Sequence, residues 1–125
     1  MKVRMPDKTS AVMLDRDLTK QSIINLVENA IKYSPPGKDV MVELTELTSG
    51  LRIDVIDNGY GMEEGELRKI FVKFYRGKTA IDDGSRGSGL GLAFVKEAVE
   101  SQGGTISVRS VPGEGSTFSL VFPAG

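Results

Sequence analysis

Residues 39–57 hold two alternating stretches, 39–47 and 51–57, separated only by Thr48, Ser49 and Gly50. In the second, Leu51, Ile53 and Val55 alternate with Arg52 and Asp54, the period of a strand with one face in a core and one in solvent. Two such strands joined by a short turn predict an antiparallel hairpin. A hairpin that is apolar on one side needs a second layer to cover it. The alternation carries one step further, to Asp57, which should therefore point the way the core side chains point. A carboxylate shut away from water needs a partner or an added proton. No basic residue adjoins Asp57, and the chain continues as Asn58-Gly59-Tyr60-Gly61. The partner is sought outside the chain, the alternative being that Asp57 caps the Asn58-Gly59 turn.

Helices should supply the covering layer. Asp15 suits the N-cap of a long helix running to about Tyr33, stopped by Ser34-Pro35-Pro36-Gly37. A shorter helix is expected over Glu63–Tyr75, and another from about Leu90 to Gln102, closed by Gly103 and Gly104. Strands are expected at 105–110 and 116–122 about the turn Val111–Gly115, and at 2–5 and 10–14, broken by Pro6 and Asp7. This order predicts an α+β fold, a two-layer α/β sandwich. Its mixed, largely antiparallel sheet of about five strands would pack on about three helices. A length of 125 residues fits a single domain spanning 1–125.

Composition removes much chemistry. There is no cysteine, hence no thiol nucleophile, disulfide or thiolate metal site, and no histidine, the commonest general base and metal ligand. Any reaction here must use carboxylates, amides, lysines, backbone donors or a bound metal ion. The net charge of −1 gives no field to recruit nucleic acid or an acidic membrane. No apolar run approaches membrane-spanning length.

Two further segments bear on a ligand. On the first helix Ile23, Leu26, Val27, Ala30 and Ile31 form an apolar arc suited to packing on the sheet. Asn25, Glu28, Asn29 and Lys32 form the opposite stripe. That stripe is either a solvated face with a Glu28–Lys32 pair or a ligand surface. Asn is a poor helix former, and Asn29 and Lys32 offer a carbonyl for a metal and a cation for a phosphate. The second segment, GSRGSGLGLAFV at 84–95, places Gly84, Gly87, Gly89 and Gly91 before an apolar helix. There, backbone N–H groups and a helix N-terminus can meet an anion, or the glycines simply make a flexible loop. Its spacing fits neither a Walker A loop nor a Rossmann fingerprint. Adenine's exocyclic amino group is a donor that Asp57 can accept from, with Gly59 and Gly61 letting the chain turn closely around the base.

The stretches NLVENAIKYSPPG (25–37), DNGYGM (57–62), IFVKFYRG (70–77), GSGLGLA (87–93) and GEGSTF (113–118) resemble, in order, the boxes of sensor histidine kinases. The resemblance covers essentially the whole chain. It implies a Bergerat-type sandwich binding ATP and Mg²⁺, with the γ-phosphoryl group donated to a histidine. Asn29 then resembles the Mg²⁺ ligand, Asn25 the residue beside it near the phosphates, Lys32 the phosphate-binding lysine and Tyr33 the aromatic of the pocket. Asp57 resembles the adenine-reading carboxylate, followed by Gly59 and Gly61. Residues 76–88 resemble the ATP lid, whose Arg76, Lys78 and Arg86 can approach phosphate, and the resemblance gives Asn25, Asn29, Lys32 and Arg76 catalytic roles. Gly87, Ser88, Gly89, Leu90, Gly91 and Leu92 would meet the nucleotide where the lid joins the helix, and Ile70 would line the pocket. Ser116, or failing that Thr117, would reach adenine through water.

Hydrolysing relatives carry a glutamate where this chain has Asn25, which suits phosphoryl transfer better than hydrolysis. Val72 departs from the acidic or amide residue usual in its box, and the chain has no histidine to accept phosphate. The resemblance therefore implies an excised cytoplasmic catalytic domain, monomeric by itself. Its partners would be the dimerisation and phosphoacceptor domain of its parent and a response regulator. An anti-sigma-type serine kinase and a non-catalytic docking module are the competing expectations.

Overall fold

The computed structural model describes residues 2–4, 14–71 and 91–123. Strands β2 (Val40–Leu47) and β3 (Gly50–Asp57) form the expected hairpin, paired from Val40↔Asp57 to Leu47↔Gly50. Strands β4 (Thr105–Val111) and β5 (Gly115–Pro123) form a second hairpin, and β5 joins the two by pairing antiparallel with β3. Strand β1 (Lys2–Arg4) adds a short parallel edge beside β2, giving the order β1-β2-β3-β5-β4. The sheet is thus four antiparallel strands extended by one three-residue parallel strand. The expected strand at 10–14 falls mostly outside the described residues.

Helix α1 (Arg16–Lys32) begins as expected, with Asp15 Oδ1 accepting from Leu18 N at 2.9 Å. Helix α3 (Gly91–Ser101) packs beside it. The two are tied at one end by Gln102, whose Oε1 accepts from Asp15 N at 2.7 Å. Between them in sequence, α2 is only one turn, Glu64–Leu67, shorter than the expected 63–75 helix. Gly65 and the acidic run from Glu63 to Glu66 give that segment little apolar face to bury. Residues 72–75 of the expected helix lie outside the described residues. Among the described residues no helix is long and apolar enough to cross a membrane.

The core lies between the sheet and α1 with α3. Leu26 and Ala30 of α1, Val95 and Val99 of α3, and Val42, Ile53, Val55, Phe118, Leu120 and Phe122 of the sheet are all buried. Two expectations change here. Ile31, assigned to the packing arc, is 55% exposed, and the buried face of α1 is Thr19, Ser22, Leu26 and Ala30. The sheet is covered by two helices side by side, so the seam between α1 and α3 rotates the buried arc of α1 toward its small polar residues. Asp54, expected on the solvated face, is also buried. It accepts from Ser119 Oγ across the strand pair and is paired with Arg52 Nε at 3.0 Å.

Candidate functional site

At one end of the sheet three backbone segments converge: the end of β3, the end of α1 and the β4–β5 turn. Asp57 closes β3, with Val40 and Ser116 as its strand neighbours, and is only 5% exposed. It sits in the inward phase with Ile53 and Val55, as the alternation predicts. Its Oδ1 accepts from Gly59 N at 2.9 Å and from Ser116 N at 3.1 Å. Burial pushes the carboxyl above its ordinary value of 3.8, and the two backbone donors pull it back only in part. Asp57 therefore does cap its own turn, and it is still held in a setting that disfavours its charge.

The glycines after Asp57 answer to the chain's own backbone. A Cβ on Gly59 would stand 2.2 Å from Tyr33 O, and one on Gly61 2.1 Å from Val111 O. Gly61 also has a φ of 72°, in the left-handed region that favours glycine. Tyr60 N donates to Tyr33 O at 3.0 Å, and Gly113 N donates to Tyr60 O at 2.7 Å. The turn carrying Asn58 to Gly61 is thereby wedged between the end of α1 and the β4–β5 turn, which fixes the carboxylate in place.

The polar stripe of α1 faces the start of α3 at Asn25. Its Nδ2 donates to Gly91 O at 3.4 Å, and its Oδ1 accepts from Gln21 Nε2 at 2.8 Å. Asn29 follows one turn later and is half-buried; Lys32 ends the helix and Tyr33 caps it. Ile70 is a core residue, and Leu92 packs half-buried against the same core. Of the two candidate hydroxyls at the start of β5, Ser116 and Thr117, the fold brings Ser116 to Asp57. Thr117 points to the opposite face of the sheet with its strand neighbour Ile56. Arg76, Lys78, Arg86, Gly87, Ser88, Gly89 and Leu90 lie outside the described residues.

One member of this cluster is not among the residues expected from the sequence. Ser110 Oγ accepts from Met62 N at 2.7 Å, donates to Gly115 O at 3.0 Å and lies 2.7 Å from Ser116 Oγ. The signal was present: Ile106, Val108 and Ser110 share one phase of β4, so a hydroxyl occupies a position where the strand turns inward.

The sequence profile of the histidine kinase-, DNA gyrase B-, and HSP90-like ATPase family matches residues 14–125. The chain belongs to that family. Family membership makes ATP its cofactor. Among curated relatives, the sensor-like histidine kinase SenX3 of Mycobacterium tuberculosis is 42% identical over 113 residues, covering 90% of this chain and 28% of the relative. The sensor histidine kinase WalK of Bacillus subtilis is 37% identical over 121 residues, covering 95% of this chain and 20% of the relative. Among solved structures, the mycobacterial sensor histidine kinase MprB superposes with a TM-score of 0.77 at 29% identity, over 98% of this chain and 80% of that one. The catalytic domain of histidine kinase ThkA gives 0.82 at 26%, over 98% and 78%. This ATPase-family chain thus spans less than a third of the length of these curated relatives. Its fold is that of the ThkA catalytic domain.

Proposed function

We propose that this chain is the ATP-binding catalytic domain of a sensor histidine kinase, binding Mg-ATP and donating its terminal phosphoryl group to a histidine on a separate dimerisation domain. The observation that carries the reading is the buried Asp57, clamped by two backbone donors on one oxygen where the end of β3 meets the end of α1. With Oδ1 so engaged, Oδ2 is the oxygen for an external donor, and adenine's amino group supplies one. In the same reading Tyr33 flanks the base, with Gly59, Gly61, Ile70 and Leu92 as its further contacts.

The phosphates then lie toward the start of α3, where Asn25 meets Gly91, and Lys32, two turns further along α1, would supply a cation. The lid residues Arg76, Lys78, Arg86, Gly87, Ser88, Gly89 and Leu90 complete that end. Asn29 offers a neutral oxygen, and no three His, Cys, Asp or Glu side chains gather among the described residues to hold a metal unaided. That fits Mg²⁺, which is commonly bound by few protein ligands together with substrate phosphates. When bound, the ion neutralises charge on the transferring phosphoryl group.

The chain's own part in the transfer is positioning. Asn25 cannot act as a base toward water, whereas a neutral imidazole needs no strong base to attack phosphorus. The chain holds no histidine, so the acceptor belongs to the dimerisation and phosphoacceptor domain, and a response regulator would take the group onward. The test is reconstitution: labelled ATP, this chain and a separately prepared phosphoacceptor domain. Magnesium-dependent labelling of the acceptor histidine supports the reading. Steady release of inorganic phosphate with no labelled acceptor would point to an ATPase instead.

A further inference from the structure

Ser110 touches three segments of the site at once, and its bonding capacity is used up in doing so. A hydroxyl carries one proton and two lone pairs. Gly115 O can only accept, so at 3.0 Å it takes the Ser110 proton. Met62 N–H can only donate, so at 2.7 Å it takes one lone pair. With the Ser110 proton assigned to Gly115 O, the remaining contact, 2.7 Å to Ser116 Oγ, uses the second lone pair, with Ser116 as the donor. In this assignment two backbone groups of fixed polarity set the direction of a hydrogen bond between two hydroxyls of free polarity.

The consequence falls on Ser116, which is the strand partner of both Ser110 and Asp57 and is buried. With its proton committed to Ser110, Ser116 Oγ keeps only lone pairs for a ligand. The ionised Asp57 is also an acceptor only. We infer that Ser110 is a specificity-determining positioning residue: by fixing the polarity of the Ser116 hydroxyl, it makes the base-reading end of the site present acceptors alone. Such an edge accepts the exocyclic amino group of adenine directly and opposes the carbonyl oxygen that guanine carries at the same place. This inference rests on the proposal that Asp57 reads adenine.

Calorimetric titrations of ATP and GTP against the unaltered chain, Ser110→Ala, Ser110→Thr and Ser116→Ala test it. Removing the Ser110 hydroxyl frees the Ser116 proton to donate to guanine's oxygen. The ATP-over-GTP preference should fall about tenfold, the worth of one hydrogen bond. Threonine keeps the hydroxyl and should hold the preference within about twofold of the starting value. Because Ser110 acts through Ser116, the Ser110→Ala/Ser116→Ala double variant should discriminate no worse than Ser116→Ala. Circular dichroism verifies folding, and should Ser110→Ala not fold, the comparison of Ser110→Thr with Ser116→Ala carries the test. The inference is overturned if Ser110→Ala leaves the preference unchanged or weakens both nucleotides equally, or if Ser110→Thr loses the preference. Absence of any preference in the unaltered chain would instead refute the adenine reading itself.

Discussion

Asp57→Asn should separate binding from folding at this site. The asparagine carbonyl can still accept from Gly59 N and Ser116 N, so the turn keeps its two bonds. What changes is the second atom, from an acceptor oxygen to an NH₂ donor that faces adenine's amino group donor against donor. A hydrogen bond to a charged group is worth about 1.5–3 kcal/mol, so ATP should bind about ten- to hundredfold more weakly. Stability should move the other way. Burial raises the Asp57 carboxyl above 3.8, so the folded chain holds that proton more tightly than the unfolded chain does. The stability contributed by this group is fully present below 3.8 and is lost as pH rises through the raised folded value. The asparagine variant has no such descending limb. At neutral pH it should be at least as stable as the unaltered chain, with its relative advantage shrinking as the pH falls toward about 4. Titration calorimetry with ATP, paired with urea unfolding at several pH values, reads both effects. A loss of affinity below about threefold, or a loss that merely tracks lost stability at neutral pH, would refute the reasoning.

Other perturbations probe the supports of the site. Gly59→Ala places a methyl group 2.2 Å from Tyr33 O, and the forced backbone shift should cost about 1–3 kcal/mol of stability while also weakening ATP; an unchanged unfolding midpoint would contradict the wedge. Leu26→Ala empties a fully buried position under the sheet and should cost about 2–5 kcal/mol in urea unfolding. Asn29→Ala or Asn29→Asp should abolish the magnesium dependence of nucleotide binding and phosphotransfer, and unchanged dependence would remove Asn29 from the metal assignment.

The hairpins, the cap at Asp15 and the inward turn of Asp57 were legible because each rests on local pattern: a period of two, a capping residue, a phase carried one step on. What escaped depends on which surfaces meet. Ile31 belongs to an apolar arc by helical angle, yet a second helix lies beside α1, and the arc it buries is centred on Ser22, Leu26 and Ala30. Asp54 reads as an outward, solvated residue, and only the register of β5 shows that Ser119 meets it. Gly59 and Gly61 announce close approach in the sequence but not what approaches. The carbonyls of Tyr33 and Val111 come from distant parts of the chain. Ser110 was missed although its phase on β4 carries the same signal as Asp57 on β3, a polar residue where the strand faces inward.

The central claim, that nucleotide sits at the β3–α1–α3 end of the sandwich with its base on Asp57, is tested most directly by amide chemical shifts in an isotope-labelled chain titrated with ATP. Gly59 and Ser116, whose N–H groups both bond Asp57 Oδ1, should move strongly and together, with Asn25 and Gly91 responding at the phosphate end. Thr105, Ser107 and Arg109, exposed on the far face of the sheet, should stay still. Saturating ATP that leaves Gly59 and Ser116 unmoved, or that shifts the far face instead, would contradict the account.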